Sequence, residues 1–255
     1  MSISILQERV RRCKTPVVLG LGPDRDRLPQ ALLRQFTDLY GEGPMAVAEA
    51  LRYHVTRALE ALDKLPAVYI RAEKYLPYGA AGMDVLANLL SAAKSRGQYV
   101  IVDCRAGESG VWFSALPGAD AVTVLPYVGG ECCAAAEADK AVFALVRTAG
   151  AFSGEIQNLM AGDRRLYQAV ADQMARRGAG LVVETGYSLD IRELRRRCEK
   201  ALLLLTNCGG EAASYGFDDY GHGAVVVDDT IQYAADPADA AEQAVKEMKQ
   251  WITVL

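Results

Sequence analysis

The segment YVIVDCRAGE, residues 99–108, contains the pattern that decides the fold. Its first four residues are apolar without a break, and a polar loop begins at Asp103. A run that is apolar throughout, rather than at every second position, is typical of a strand covered on both faces. Such strands occur in parallel sheets packed between helices, so this segment predicts an α/β fold.

Similar apolar runs recur along the chain and alternate with helical patterns. Strands are predicted over residues 17–21, 68–70, 99–103, 119–124, 142–146, 180–183, 201–205 and 223–227. Helices are predicted over residues 29–35, 45–62, 81–96, 131–137, 154–177, 190–200 and 237–252. Eight β/α units in about 250 residues predict a single (β/α)8 TIM barrel domain spanning residues 1–255. A doubly wound open sheet is the alternative, although no G-x-G-x-x-G motif follows a strand.

Composition and charge restrict the class of protein. Apolar residues make up 51% of the chain and charged residues 24%, which excludes intrinsic disorder. A net charge of −4 provides no general attraction for nucleic acids or acidic membranes, so neither partner is expected. The longest apolar runs are far shorter than the roughly 20 residues of a membrane span, and the N-terminal segment is too polar for a signal peptide. A cytoplasmic protein is therefore expected.

Cysteine and histidine provide little support for a metal or another cofactor. The chain has 6 cysteines, none in a C-x-x-C pair, and 2 histidines, His54 and His222. We therefore expect no metal site and no cofactor, and free thiols in a reducing compartment. Cys104 and Cys208 follow strands and could act as nucleophiles, but no histidine lies near them in sequence to activate a thiol. Both histidines are expected to be packed in the core or on the surface.

Functional groups of a (β/α)8 barrel lie at the C-terminal ends of its strands. At the end of the strand over residues 99–103, Asp103 and Arg105 lie on the same side, because side chains of a strand alternate, and Glu108 lies in the following loop. This group indicates an acid–base or carboxylate–guanidinium site, with a structural ion pair that closes the barrel as the alternative. Arg71, after the second strand, could complete the site or belong to a solvated loop.

Several segments are similar, in order and spacing, to the orotidine 5′-phosphate decarboxylase family, in particular to its longer bacterial branch. VVLGLGPDRDRLP at 17–29 resembles the family's opening strand and its G-L-D-P. Residues 103–108 resemble its D-x-K-x-x-D motif, and DAVTVLPYVG at 120–129 resembles its A-D-x-V-T-x-N-P-Y-x-G. Residues 147–148, 157–159 and 182–194 resemble its fifth and sixth units. The resemblance covers nearly the whole chain.

The resemblance implies a dimeric (β/α)8 barrel that decarboxylates orotidine 5′-phosphate to UMP in pyrimidine biosynthesis. It assigns the charged catalytic core to Asp103, Arg105, Glu108 and Arg71, with Glu108 entering the site of the partner subunit. It assigns ligand binding to Thr148, Gln157, Gly209, Gly210, Asp228 and Asp229.

Most differences from the family pattern lie at the positions that carry out the family's reaction or bind its substrate. The first-strand aspartate that holds the ribose is Gly22 here, and arginine replaces lysine at Arg71 and Arg105. In the family a lysine ammonium protonates the carbanion left by the departing CO2. An arginine, with a pKa above about 12, does not readily give up a proton, so a step typically worth roughly 10²–10⁴-fold should suffer. Glu108 is one methylene longer than aspartate, and a misplacement of about 1 Å can cost about 10²-fold.

The residues at the phosphate site also differ from the family pattern. Asp228 and Asp229 replace the serine and arginine that grip the phosphate, so a dianion would meet repulsion. Backbone N–H groups at Gly209 and Gly210 could still hold an anion. An alternative role for Asp228 or Asp229 is the N-cap of a short helix that runs through Gln232.

Together these substitutions predict a barrel of this family whose parent activity is weak or lost. One alternative is a non-catalytic member that binds a partner, such as an active family enzyme in a heterodimer. Another is a barrel enzyme for a different, non-phosphorylated ligand. The expected partners are a small molecule, a nucleotide in the first interpretation, and a second copy of the chain in a homodimer.

Overall fold

The computed structural model describes residues 3–129 and 140–255. The main strands are β1 Val17–Leu21, β2 Ala67–Arg71, β3 Tyr99–Ala106, β4 Ala121–Val124, β5 Ala141–Arg147, β6 Gly180–Glu184, β7 Leu203–Thr206 and β8 Ala224–Val227. All are parallel, and they close into a barrel in the order β1-β8-β7-β6-β5-β4-β3-β2. The closed barrel confirms the predicted (β/α)8 fold and excludes the open sheet.

The core has an inner and an outer part. Alternate residues of the strands fill the barrel interior, among them Tyr69, Ile101, Phe143 and Leu204. The residues between them form a larger cluster with the surrounding helices. Both faces of the strands are therefore buried, which explains why the runs in the sequence are apolar without alternation.

A helix that the sequence analysis did not predict, α1 (Ile3–Cys13), covers the N-terminal end of the barrel. Leu6 and Val10 of this helix belong to the interior cluster. The buried residues of α1, Leu6, Gln7 and Val10, lie on one face at helical spacing. The periodic signal was therefore present in this segment, although no helix was predicted from it.

The remaining helices surround the barrel. They are α2 Gln30–Tyr40, α3 Pro44–Ala58, α4 Gly79–Ser95, α5 Ser109–Ala115, α6 Ser153–Gln157, α7 Leu166–Arg176, α8 Ser188–Arg197, α9 Gly210–Ser214, α10 Asp229–Gln232 and α11 Pro237–Met248. The predicted helix over 131–137 lies outside the described residues. In the described part of the chain, no helix is long and apolar enough to cross a bilayer.

The segment 154–177, predicted to be largely helical, is interrupted between two helices. Between α6 and α7 the chain forms a two-stranded antiparallel hairpin, in which Met160–Ala161 pairs with Arg164–Arg165. Gly162, at φ +71°, lies in its turn, a left-handed conformation that glycine adopts without steric cost. The Gly-Asp pair at 162–163 was the turn signal within an otherwise helical pattern.

Candidate functional site

A layer of polar side chains lines the C-terminal end of the barrel. On seven strands the residue two positions beyond an interior apolar side chain is polar. The residue on β5, Arg147, follows a register shift and belongs to a second polar cluster, whereas the other six face the barrel axis by the same alternation. Arg105 follows Asp103 by two residues and belongs to the same layer. We call this set the mouth layer: Arg71, Asp103, Arg105, Thr123, Glu184, Thr206 and Asp228.

Arg105 is held by buried carboxylates. Its Nη2 donates to Glu184 Oε1 at 2.6 Å and lies 3.6 Å from Asp103 Oδ2. Its Nε lies 4.0 Å from Glu73 Oε2. The structure therefore brings Asp103 and Arg105 together, as the D-x-R spacing predicted, and adds Glu184 from the opposite side of the barrel.

Arg71 forms the second guanidinium of the layer. Its Nη2 donates to Asp228 Oδ2 at 2.8 Å, and its Nη1 lies 3.9 Å from Asp103 Oδ2. The Asp103 carboxylate thus lies between two arginines. Gly22, just after β1, contributes no side chain, and a Cβ added there would lie 2.6 Å from Arg71 Cδ. Arg71 therefore fills the space beside β1.

Thr123 fixes the backbone and the carboxylate of the D-x-R pair. Its hydroxyl donates to Asp103 Oδ1 at 2.6 Å and accepts the Arg105 backbone N–H at 3.0 Å. Asp103 Oδ2, which faces the two arginines, is buried without a hydrogen-bond partner among the described residues. The orientation of Asp103 is thus set by Thr123 and by charge.

Burial and charge act against each other on the titration of the layer. Burial is the largest influence on Glu184 and raises its pKa, although Arg105 opposes this. Burial lowers the pKa of Arg105, but the carboxylates of Asp103 and Glu184 outweigh it and the pKa is raised overall. The pKa of Arg71 is also raised, because Tyr69 and Asp228 outweigh burial. Both arginines are fixed cations rather than proton donors.

A second polar cluster lies at the end of β5. Arg147 Nε donates to Asp190 Oδ2 at 3.0 Å, and its Nη1 donates to Gln157 Oε1 at 3.0 Å. The Gln157 amide donates to Thr148 Oγ1 at 2.7 Å. Thr148 and Gln157, both predicted to bind the ligand, therefore lie together, but here they bond to each other.

Asp228 and Asp229 have structural contacts. The Asp228 carboxylate accepts the N–H of Asp229 at 3.0 Å and caps α10, which confirms the predicted N-cap. Asp229 accepts a hydrogen bond from the Gln232 amide at 2.9 Å and pairs with Arg27. Asp229 therefore belongs to a surface cluster, whereas Asp228 also reaches the mouth layer.

Gly209 and Gly210 begin α9, which has only 5 residues. A Cβ at Gly210 would lie 2.5 Å from the Trp251 ring, whereas Gly209 has open space around it. Gly210 is thus explained by packing against the C-terminal segment.

Glu108 is exposed immediately before α5, and within the described residues it forms no ion pair. One chain alone does not bring it to Asp103 or Arg105. At the rim, Lys74 Nζ donates to Asp24 Oδ1 at 2.5 Å, so Lys74 lies outside the mouth layer with a carboxylate of its own.

The thiols at the strand ends are poor nucleophiles. Burial raises the pKa of Cys104 to about 12, and it raises the pKa of Cys208 to about 12. Both are therefore protonated at neutral pH, whereas the thiolate is the reactive form. His54 is buried against Tyr233, with ring centroids 5.0 Å apart, as a packed histidine. Among residues 3–129 and 140–255, no group of three metal-ligating side chains converges.

Sequence reasoning had placed Glu184 among the groups at strand ends without giving it a role, and it had not assigned Thr123 to the site. The signal was the alternation itself: each lies two residues beyond an interior apolar residue, Val182 and Ala121 respectively. Counting positions from the core outward on the strands would have found both.

The sequence relatives of this chain agree on one family. No family model matches the chain. Orotidine 5′-phosphate decarboxylase of Thermomicrobium roseum is 30% identical over 223 residues, which cover 81% of this chain and 75% of that protein. The enzyme of the same name from Roseiflexus castenholzii is 29% identical over 270 aligned positions, which cover 94% and 93% of the two chains.

Solved structures agree on the fold. OMP decarboxylase of Leishmania donovani superposes with a TM-score of 0.77 at 24% identity, over 97% of this chain and 96% of that one. Orotidine 5′-monophosphate decarboxylase of Plasmodium berghei gives a TM-score of 0.80 at 16% identity, over 97% of each chain. The solved structures support the barrel fold. The sequence relatives show, in addition, that the chain belongs to the orotidine 5′-phosphate decarboxylase family.

Proposed function

We propose that this protein is a family barrel in which decarboxylation of orotidine 5′-phosphate is weak or lost. The observation that carries the proposal is the pair between Arg105 and Glu184, at 2.6 Å. The group at the position of the family's proton-donating lysine is an arginine whose charge a carboxylate of the same chain already neutralises. A transition state that develops negative charge there would compete with Glu184, and no ammonium proton is available from Arg105.

The opposite side of the mouth supports the same conclusion. Asp229 lies where the family's phosphate-gripping arginine does, and Asp228, beside it, is an acceptor bound to Arg71 at 2.8 Å. A phosphate dianion needs donors, and here it would meet a carboxylate. The free thiols of the described residues are consistent with the cytoplasmic location that we propose.

Orotidine 5′-phosphate decarboxylation, followed by ultraviolet absorbance at high protein concentration, tests this proposal. The background is the Arg105→Ala variant, and Lys74→Ala tests the ammonium at the rim of the mouth. We expect turnover in the wild type that is absent or far below that of an active family enzyme assayed beside it. Turnover comparable to that of the active enzyme, and lost in either variant, would contradict the proposal and would identify the group that runs the parent reaction.

A second candidate function is the binding or conversion of a non-phosphorylated ligand. Three polar atoms of the mouth layer, Asp103 Oδ2, Arg105 Nε and Thr206 Oγ1, are buried without hydrogen-bond partners among the described residues. Such atoms are costly unless another molecule satisfies them. This candidate predicts that uridine stabilises the protein against heat at least as well as UMP does. Stronger stabilisation by UMP would contradict it.

We propose that the chain forms a homodimer through the C-terminal end of the barrel. The segments after β3, β4 and β5 carry exposed apolar side chains, which include Val111, Val128 and Phe152. Glu108 leaves the barrel at the same end. A non-catalytic partner subunit remains the alternative; mixing the protein with an active family enzyme and detecting a heterodimer by native mass spectrometry would favour it, and a homodimer alone would count against it.

A further inference from the structure

The N-terminal end of the barrel carries a groove that the family reaction does not use. Its volume is about 850 Å³, within the range of small-molecule sites. It lies between α7 and α8, where β6 and β7 begin, and Ala179 and Leu202 contribute to its lining. Ile3 of α1 lines it as well. The groove is therefore separated from the mouth layer by the length of the barrel.

The groove is cationic, although the chain has a net charge of −4. Glu193 lies outside the lining and pairs with Arg196 at 2.9 Å. Asp163 also lies outside the lining and pairs with Arg164 at 2.9 Å. Counting Glu193 and Asp163 with the lining carboxylates still leaves one positive charge in excess. The basic residues of the lining are Arg164, Arg176, Arg196, Arg197 and Lys200, and its carboxylates are Asp172 and Glu199.

One carboxylate serves two arginines in this groove. Asp172 Oδ2 accepts from Arg164 Nη1 and from Arg197 Nη2, both at 2.6 Å. Arg197 Nη1 also lies 3.5 Å from Glu193 Oε1, but its Nε is buried without an acceptor in the part of the chain that the structure describes. A buried N–H without an acceptor is unfavourable, and an oxygen of a bound anion would satisfy it.

Two further cations are free to bind. Arg176 ends α7 and Lys200 precedes β7, so they approach the groove from different elements. Both are exposed, and neither forms an ion pair with another described residue. Two cations without a carboxylate partner in the described part of the chain, on different elements of one groove, attract an anion that carries more than one charge.

We propose that this groove binds a small polyvalent oxyanion of the phosphate or pyrophosphate type. The arginines supply the directional N–H donors that suit planar or tetrahedral oxyanions, and Lys200 adds a point charge. Because the groove lies at the end opposite the mouth, its occupancy is independent of any activity there.

Isothermal titration calorimetry with inorganic pyrophosphate, at constant ionic strength, tests the site. We expect saturable binding of one pyrophosphate per chain. The double variant Arg176→Ala/Lys200→Ala should bind roughly tenfold more weakly, because it loses two charged contacts. The matched control Arg177→Ala/Lys249→Ala removes the same charge from exposed residues that do not line the groove, and it should bind like the wild type.

Arg197→Gln provides a second test, because it removes the buried N–H donor while Arg164 continues to pair with Asp172. It should abolish saturable binding. Its thermal unfolding without pyrophosphate shows whether it folds; if it does not, the exposed double variant alone decides. Absence of saturable binding in the wild type, or equal weakening in the double variant and its control, would overturn the proposal.

Discussion

Arg105 occupies its position against a local preference of the backbone. Its φ is +48°, in the left-handed region that residues with a Cβ rarely adopt, at a cost of about 1–2 kcal/mol. The hydrogen bond from its N–H to Thr123 Oγ1 and the pair with Glu184 offset this cost. Strained residues that are held by their surroundings concentrate at functional sites. The unusual backbone conformation of Arg105 therefore indicates a functional position more clearly than its residue type does.

Removal of the Thr123 hydroxyl should destabilise the protein. In Thr123→Val the buried Asp103 carboxylate loses its donor and the Arg105 N–H loses its acceptor, so we expect a loss of about 2–3 kcal/mol in the free energy of unfolding. Urea denaturation measures it. The control is Thr206→Val, because the Thr206 hydroxyl is buried without a partner among the described residues, and its loss should cost under about 1 kcal/mol. Equal losses in the two variants would contradict the role of Thr123.

The buried Glu184 should produce a pH dependence of stability. Its pKa in the folded protein is raised above the ordinary value of 4.5, mainly by burial. The folded protein therefore keeps this proton to higher pH than the unfolded chain, and ionisation of Glu184 costs stability as the pH rises through the raised pKa. Below the ordinary value both states are protonated and the cost is absent.

Comparison of the wild type with Glu184→Gln isolates this contribution. The free energy of unfolding of the variant, relative to that of the wild type, should increase between about pH 4 and about pH 7. Chemical denaturation at several pH values measures the difference. A difference that is independent of pH would show that the charge of Glu184 is fully compensated by Arg105.

At the scale of elements, the strands were readable from the sequence as continuous apolar runs, and short irregular pieces were not. All eight main strands lie within a few residues of their predicted bounds, because each is buried on both faces. The hairpin at 160–165 was missed, because the segment around it was interpreted as largely helical. Pairing between side chains from different strands, such as Arg71 with Asp228, depends on barrel closure and side-chain conformation, which no local pattern reveals.

The start of α9 provides a matched pair of glycines. Gly210→Ala places a methyl group against the Trp251 ring, so we expect a loss of about 1–3 kcal/mol in the free energy of unfolding. Gly209 has open space and an ordinary φ of −77°, so Gly209→Ala should be neutral or stabilising by about 0.4–1 kcal/mol. Thermal unfolding of both variants measures the contrast. A similar effect at the two positions would show that the Trp251 ring moves freely.

At the scale of the whole molecule, the apolar surface lies unevenly. Phe152 is 79% exposed and, at φ +62°, is held in the left-handed region that disfavours a bulky residue. Neither property benefits an isolated chain. Both are accounted for by contact with a second copy at the C-terminal end of the barrel, as proposed above.

Phe152→Asn tests this directly. Asparagine tolerates a positive φ, so the stability of the monomer should be unchanged or higher, while self-association should weaken because apolar contact area is lost. Sedimentation equilibrium measures the association. The control is Tyr220→Asn, an aromatic residue that is 66% exposed before β8, at the other end of the barrel. Unchanged association in Phe152→Asn would remove this surface from the dimer.

The close packing of Gly22 against Arg71 limits which substitutions either position can accept. Any residue with a Cβ at position 22 collides with Arg71, whose guanidinium is bound to Asp228. Replacing Arg71 by the family's lysine keeps a positive charge but removes the guanidinium that lies between Asp228 and Asp103, and changing Asp228 first removes the hydrogen-bonded carboxylate of Arg71. We therefore expect each of these single substitutions to lower stability. The three positions constrain one another, so that the family pattern is reached more easily by simultaneous than by stepwise substitution.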